Sequence, residues 1–316
     1  MNYTYLYKHH YSDTEELSKL DEYDVFITMF VDSSRVKEPA SKINSHFTLW
    51  LTTEIDKDNV FLLGKNVFVL QGNEDFVNLF SKLNSLQLKG KNVCIDSTGF
   101  RVQYLLFLMR CLLINNVKRY DVIYTEPVLY RCAENTEFSA NFYQVKELMG
   151  MSGVSSSITS NDLLIIAAGY DHSRIIDVAK HIKNSKKVLL FGFPSLSPDM
   201  FQENILRAHE AETDLGAACF ANMDSNIFAP AYDPFVAAET IKEYIEKEEN
   251  KVGKPFTHIY LAPLSSKPHA IAMGLYFLCE FGWTKPMSVI YPFCNTYFPD
   301  NSDGISKIWR YTVEVP

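Results

Sequence analysis

The sequence predicts an α/β fold: two Rossmann-like parallel-sheet units in tandem, with helices on both faces. Three observations predict it. Short apolar runs alternate with longer amphipathic ones, the pattern of parallel strands joined by crossover helices. The strand-like runs are apolar throughout, as in LLIIAAG (163–169) and VLLFGF (188–193), the composition of strands covered by helices on both sides. Finally, FITMFVDSSRV (26–36) answers IIAAGYDHSRI (165–175). Each is a buried strand, then Asp-x-Ser-Arg, then a β-branched residue opening a helix.

Taken in order, the first half offers strands at Asp24–Val31, Val67–Gln71, Asn92–Ile95 and Tyr120–Tyr124. Helix-like stretches lie at Ser33–Ser45, Glu74–Leu83 and Val102–Asn115. The second half offers strands at Leu163–Ala168, Lys187–Gly192, His258–Leu261 and Met287–Tyr291. Its helices are Ser173–Ile182, Pro198–Glu212, Asp233–Glu249 and Pro268–Glu280. A second internal match pairs VIYTEP (122–127) with HIYLAP (258–263). The small, polar stretch MSGVSSSITSN (151–161) reads as a linker. The expected domains are therefore residues 1–150 and 162–316.

A length of 316 residues accommodates two such domains. Acidic residues outnumber basic ones, 38 to 30, giving a formal charge of -8. That balance excludes generic DNA binding and a polybasic membrane binder, because phosphate backbones need clustered cations. It leaves room for a local cationic pocket. Six scattered cysteines without a C-x-x-C pair, and an N-terminal stretch with no apolar core, read as a cytoplasmic protein. The most apolar stretch, Tyr104–Ile114, is too short for a membrane span and reads as a buried helix.

In open parallel sheets, ligands sit outside the carboxyl ends of the strands, so the polar residues there carry the search for chemistry. After the first strand of the second half come Gly169, Asp171, His172, Ser173 and Arg174. The glycine allows close backbone approach, Asp171 or Ser173 can cap the helix, and Arg174 offers a bidentate donor to an anion. The helix start itself favours phosphate. The matching turn in the first half holds Asp32, Ser34 and Arg35. Other strand ends supply Asp96, Ser97 and Thr98, then Ser195, then Ser266 and Lys267. Neither a G-x-G-x-x-G turn nor a P-loop is present, nor a metal-ligand motif, so no cofactor is specified.

FVDSSRV (30–36), IDSTGFR (95–101), YTEP (124–127), DLLIIAAGYDHSRI (162–175), LLFGFPSLSPDMFQENILRA (189–208), APAYDPF (229–235) and LAPLSSKP (261–268) resemble a set of uncharacterised bacterial proteins. These are two-unit, Rossmann-like accessory components of defence or nucleic-acid-processing gene neighbourhoods. The resemblance implies no reaction and transfers no catalytic residue.

Three readings follow. The first is a cytosolic protein binding a nucleotide or phosphorylated ligand, as a sensor or component of a bacterial antiviral defence system. Its ligand would sit at Gly169, Asp171, Ser173 and Arg174, with Ser195, Ser266 and Lys267 nearby. The second is a nucleotide-processing hydrolase or glycosidic-cleavage enzyme, with Asp171 or His172 as base and Asp96 or Glu203 as second carboxylate. The third is a structural subunit bound to a protein partner from the same operon.

Overall fold

The computed structural model describes residues 1–53, 66–70, 75–130, 139–155, 158–216, 225–297 and 302–316. Their strands, in chain order, are β1 (Lys8–Tyr11), β2 (Tyr23–Met29), β3 (Ser45–Thr52), β4 (Val67–Val69), β5 (Val93–Asp96), β6 (Arg119–Glu126), β7 (Leu129–Tyr130), β8 (Ser139–Ser152), β9 (Asp162–Ala167), β10 (Ser185–Gly192), β11 (Ile227–Ala229), β12 (His258–Pro263), β13 (Met287–Tyr297), β14 (Ser302–Asp303) and β15 (Lys307–Glu314). The helices are α1 (Ser34–Lys42), α2 (Phe76–Ser85), α3 (Val102–Ile114), α4 (His172–His181), α5 (Met200–Glu210), α6 (Glu212–Leu215), α7 (Pro234–Val252) and α8 (Lys267–Cys279).

The chain divides into two compact units. The first comprises Leu6–Arg131 with Pro299–Pro316; the second comprises Met1–Tyr5 with Cys132–Phe298. The division therefore falls elsewhere than the 151–161 linker expected from composition. β8 reaches Ser152 and already pairs with β13, while the C-terminal strand β15 returns to β6.

Both units are α/β, and their parallel cores have one topology. In the first the sheet order is β1-β15-β6-β5-β2-β3-β4, and β2 through β6 are parallel. In the second it is β11-β10-β9-β12-β13-β8, with β9 through β13 parallel. Numbered within each core, both run 3-2-1-4-5, and each carries an antiparallel strand beside position five, β15 or β8. A helix of 13 residues follows the fourth strand in both units: α3, VQYLLFLMRCLLI, and α8, KPHAIAMGLYFLC. Each is buried along nearly its whole length, which explains their lack of a polar face.

The tandem expected from D-x-S-R is thus matched by topology, and one of the sequence pairings is corrected. VIYTEP lies on β6, the fifth strand, whereas HIYLAP forms β12, the fourth. The true counterpart of VIYTE is VIYPF (289–293) on β13. The turn in IDSTGF (95–100), after the fourth strand β5, corresponds to the turn after HIYLAP.

The first unit's core gathers Tyr11, Leu17, Tyr23, Phe26, Ile43, Cys94, Ile123 and Ile308. Cys94, Cys111, Cys279 and Cys294 are buried free thiols, small hydrophobes in apolar surroundings. Cys132 and Cys219 lie outside the described residues. No helix among the described residues is long and apolar enough to cross a membrane.

Candidate functional site

The carboxyl edges of the two sheets hold the residues singled out by sequence, and most of them are engaged in holding the fold. Arg174 leaves the first turn of α4 and is buried, 6% exposed. Its Nε lies 3.2 Å from Asp171 Oδ2, and Nη1 donates to Tyr291 Oη at 2.9 Å. The guanidinium also stands over the Tyr291 ring, 5.5 Å from its centroid. Asp171 caps α4 by accepting from the Arg174 amide, and it accepts from Ser173 Oγ at 2.5 Å. The arginine expected to cradle an anion is therefore a latch between helix α4 and strand β13.

Arg35, its counterpart in the first unit, makes the same reach. Nε donates to the Thr125 carbonyl at 3.1 Å and Nη1 to Ser302 Oγ at 2.6 Å, with Nη2 also on Thr125. In both units the Asp-x-Ser-Arg arginine ties the first helix to the end of the fifth strand. Asp32, by contrast, is exposed and pairs with Lys37, and Ser34 stands exposed at the start of α1.

Asp96, Ser97 and Thr98 stitch the first unit's switch point, where the strand order reverses between β2 and β5. Asp96 is wholly buried and accepts from Thr28 Oγ1 and the Thr98 amide, both at 3.0 Å. Burial raises its carboxyl above the usual range. Ser97 Oγ donates to the Ile123 carbonyl at 2.8 Å, and Thr98 Oγ1 accepts from the Thr125 amide at 3.0 Å.

In both units the crevice at the switch point is pinched shut by backbone. A Cβ on Gly169 would stand 2.4 Å from the Leu264 carbonyl oxygen, and one on Gly99 2.3 Å from that of Met29. In the second unit the loop 229–231 adds to this closure. Ser266 Oγ donates to the Ala231 carbonyl at 2.7 Å, the Ala231 amide donates to Pro194 O at 2.9 Å, and His269 Nε2 lies 3.2 Å from Pro230 O. Lys267, half-buried, begins α8 beside it.

The proposed acid and base groups of the second unit are already partnered. His172 Nδ1 pairs with Glu210 Oε2 at 3.0 Å; Arg207 joins Glu210 to Glu203, its Nε donating to Glu203 Oε1 at 3.0 Å. These four form a polar chain between α4 and α5. Asp96 belongs to the other unit, and Asp171 is held by Arg174. Among the described residues no group of three His, Cys, Asp or Glu side chains converges for a metal ion.

One open hollow lies at this edge, at the end of β10. It has a volume of about 430 Å³ and is lined by Phe193, Pro194, Ser195, Leu196, Ser197, Pro198, Phe201 and Gln202. Phe193 is 55% exposed, and its ring centroid lies 4.9 Å from that of Phe201. Ser195 Oγ donates to the Ser197 carbonyl at 2.6 Å, shaping the wall. Asp199, the N-cap of α5, makes no side-chain capping bond. Sequence reading found Ser195 here but missed Phe193 and Phe201. Their signal was the phenylalanine directly after VLLFG, where the chain leaves the sheet.

His269, also missed, lies wholly buried in α8 below the 229–231 loop, and burial holds its imidazole down at about 4. The unfolded chain titrates that group near 6.5, so between about pH 6.5 and 4 the unfolded state binds a proton the native state refuses. Stability is complete above that window and falls by about 3 kcal/mol as pH drops through it. His258, 5% exposed and lowered by burial, adds in the same direction. Urea titrations from pH 7.5 to 4 should show this slope in the wild type and a shallower one in His269→Gln.

A scan of protein-family models finds no match, and a search of curated proteins finds none either. Among solved structures, a provisionally assigned universal stress protein from Pseudomonas aeruginosa UCBPP-PA14 is 12% identical. The overlap covers 85% of this chain and 93% of that one, at a TM-score of 0.22. A functionally unknown protein from Pseudomonas aeruginosa PAO1 is 11% identical over 88% and 94%, also at 0.22. At such scores the overlaps bear on neither ligand nor reaction.

Proposed function

We propose that this protein binds, without turning over, a nucleotide or related phosphorylated small ligand in the hollow at the end of β10. The observation that carries this reading is the Phe193 ring, 55% exposed at the carboxyl edge of a parallel sheet, walled by Phe201 and by hydroxyl and amide side chains. A base stacks on such a ring. Its phosphate points toward the start of α5, a helix terminus that its own N-cap side chain leaves uncapped. Binding is favoured over catalysis because Asp171 is held by Arg174, and His172 and Glu203 are already partnered through Glu210 and Arg207. The resemblance to defence-associated proteins supports a cytosolic nucleotide sensor as the biological setting.

Isothermal titration with ATP, AMP and cyclic dinucleotides tests the reading. Saturable binding is expected for at least one of them. Phe193→Ala should weaken it about tenfold, the loss of roughly 1.4 kcal/mol of stacking. Absence of heat for every nucleotide with folded wild-type protein would sink the proposal.

A further inference from the structure

The walls of the hollow at the end of β10 are uncharged. Their side-chain polar groups are the hydroxyls of Ser195 and Ser197 and the amide of Gln202; the other lining residues are apolar. The Ser195 hydroxyl already donates to the Ser197 carbonyl at 2.6 Å.

The charged residues adjoining this lining in the chain are both acidic. Asp199 follows Pro198, is exposed, and makes no side-chain capping bond. Glu203 follows Gln202 and is answered by Arg207 at 3.0 Å. That arginine is also engaged by Glu210 at 3.2 Å. Lys267, at the start of α8, is not part of the lining. Among the described residues, then, no lining side chain brings positive charge to a bound anion. What remains is the start of α5, worth about half a positive charge, with the Asp199 carboxylate beside it.

That supply suits little anionic charge. A phosphate monoester carries about −1.5 to −2 at pH 7, and a phosphodiester about −1. Each further phosphate adds charge that nothing on these walls answers. Sites that hold polyphosphates use a lysine with a glycine-rich loop of backbone amides, and this lining has neither.

We infer that the hollow takes nucleotides with one phosphate per base, as a monoester or a diester, and discriminates by charge against polyphosphates. This rests on the stacking reading above and deepens it: Phe193 holds the base, and the number of phosphates sets the affinity.

The test is titration of the full chain with adenosine, AMP, ADP and ATP, without divalent cations, at low and at high salt. AMP should bind roughly tenfold more tightly than ATP, with ADP between, and the ratio should shrink at high salt as screening removes the repulsion. Gln202 is exposed, so Gln202→Lys adds a cation to the wall without disturbing the core. It should tighten ATP more than AMP and narrow the ratio. ATP binding as tightly as AMP, or a ratio that moves neither with salt nor with Gln202→Lys, would overturn selection by charge; base stacking would stand, provided Phe193→Ala still weakens every ligand. Silence from adenosine, AMP, ADP and ATP alike would remove the stacking reading, and this inference with it.

Discussion

Arg174→Ala lowers the stability of the second unit by about 3–5 kcal/mol, the cost of removing one partner from a buried ion pair. Asp171 is left at 9% side-chain exposure without its cation, and Tyr291 Oη loses the guanidinium at 2.9 Å. The ring contact at 5.5 Å disappears with it. Arg174→Lys recovers only part, because a point ammonium cannot serve the carboxylate and the phenol in one plane. Arg35→Ala costs less: that guanidinium is only partly buried and bonds a carbonyl and a hydroxyl rather than a carboxylate. Urea unfolding, read as separate transitions for the two units, checks both values. Nucleotide affinity should be unchanged in Arg174→Ala at temperatures where it is folded. Unaltered stability with lost affinity would return Arg174 to the role of anion receptor.

Why that role was legible in sequence, and why the structure reads it differently, comes down to what a motif records. D-x-S-R after a buried strand recurs because strand one, helix one and strand five recur, and an arginine at that turn spans the gap between them. Sequence shows the residue at the right edge of the sheet but not whether its charge is already answered, since Tyr291 and Thr125 lie 117 and 90 residues away. The parallel core was legible because uninterrupted apolar runs announce doubly covered strands. β3, SHFTLWLT, was missed: it is only partly buried and its polar residues break the run. β8 and β15 were missed for another reason. They are antiparallel additions beside strand five, and their pairing is set by long-range register with β13 and β6. The stretch 151–161 overlaps β8 only at Met151 and Ser152, and the division into compact units falls outside it. The apolar helix at 102–114 was found from hydrophobicity alone; its twin at 267–279 shows that the burial is a property of the position after strand four.

Gly169→Ala and Gly99→Ala should each destabilise their own unit by about 3 kcal/mol or more, at the upper end of what overpacking costs. The added carbons would stand 2.4 and 2.3 Å from the carbonyl oxygens of Leu264 and Met29. Those oxygens are backbone, so relief requires moving a strand end and not a side chain. The two glycines lie on opposite sides of equivalent crevices. Gly169 follows strand one and approaches the turn after strand four; Gly99 follows strand four and approaches the end of strand one. The same closure reached from either side makes the pinch itself the structural requirement. Gly253→Ala is the control: its φ of +73° is strained for alanine, but nothing lies within 4 Å of the new carbon, so its cost stays near 1 kcal/mol. The comparison also decides where a ligand can enter. If Gly169→Ala were as mild as Gly253→Ala, the loops after β9 and β12 would part easily, and the switch-point crevice would be open to a ligand after all. A severe Gly169→Ala keeps that crevice shut and leaves the hollow at Phe193 as an accessible place on the same edge.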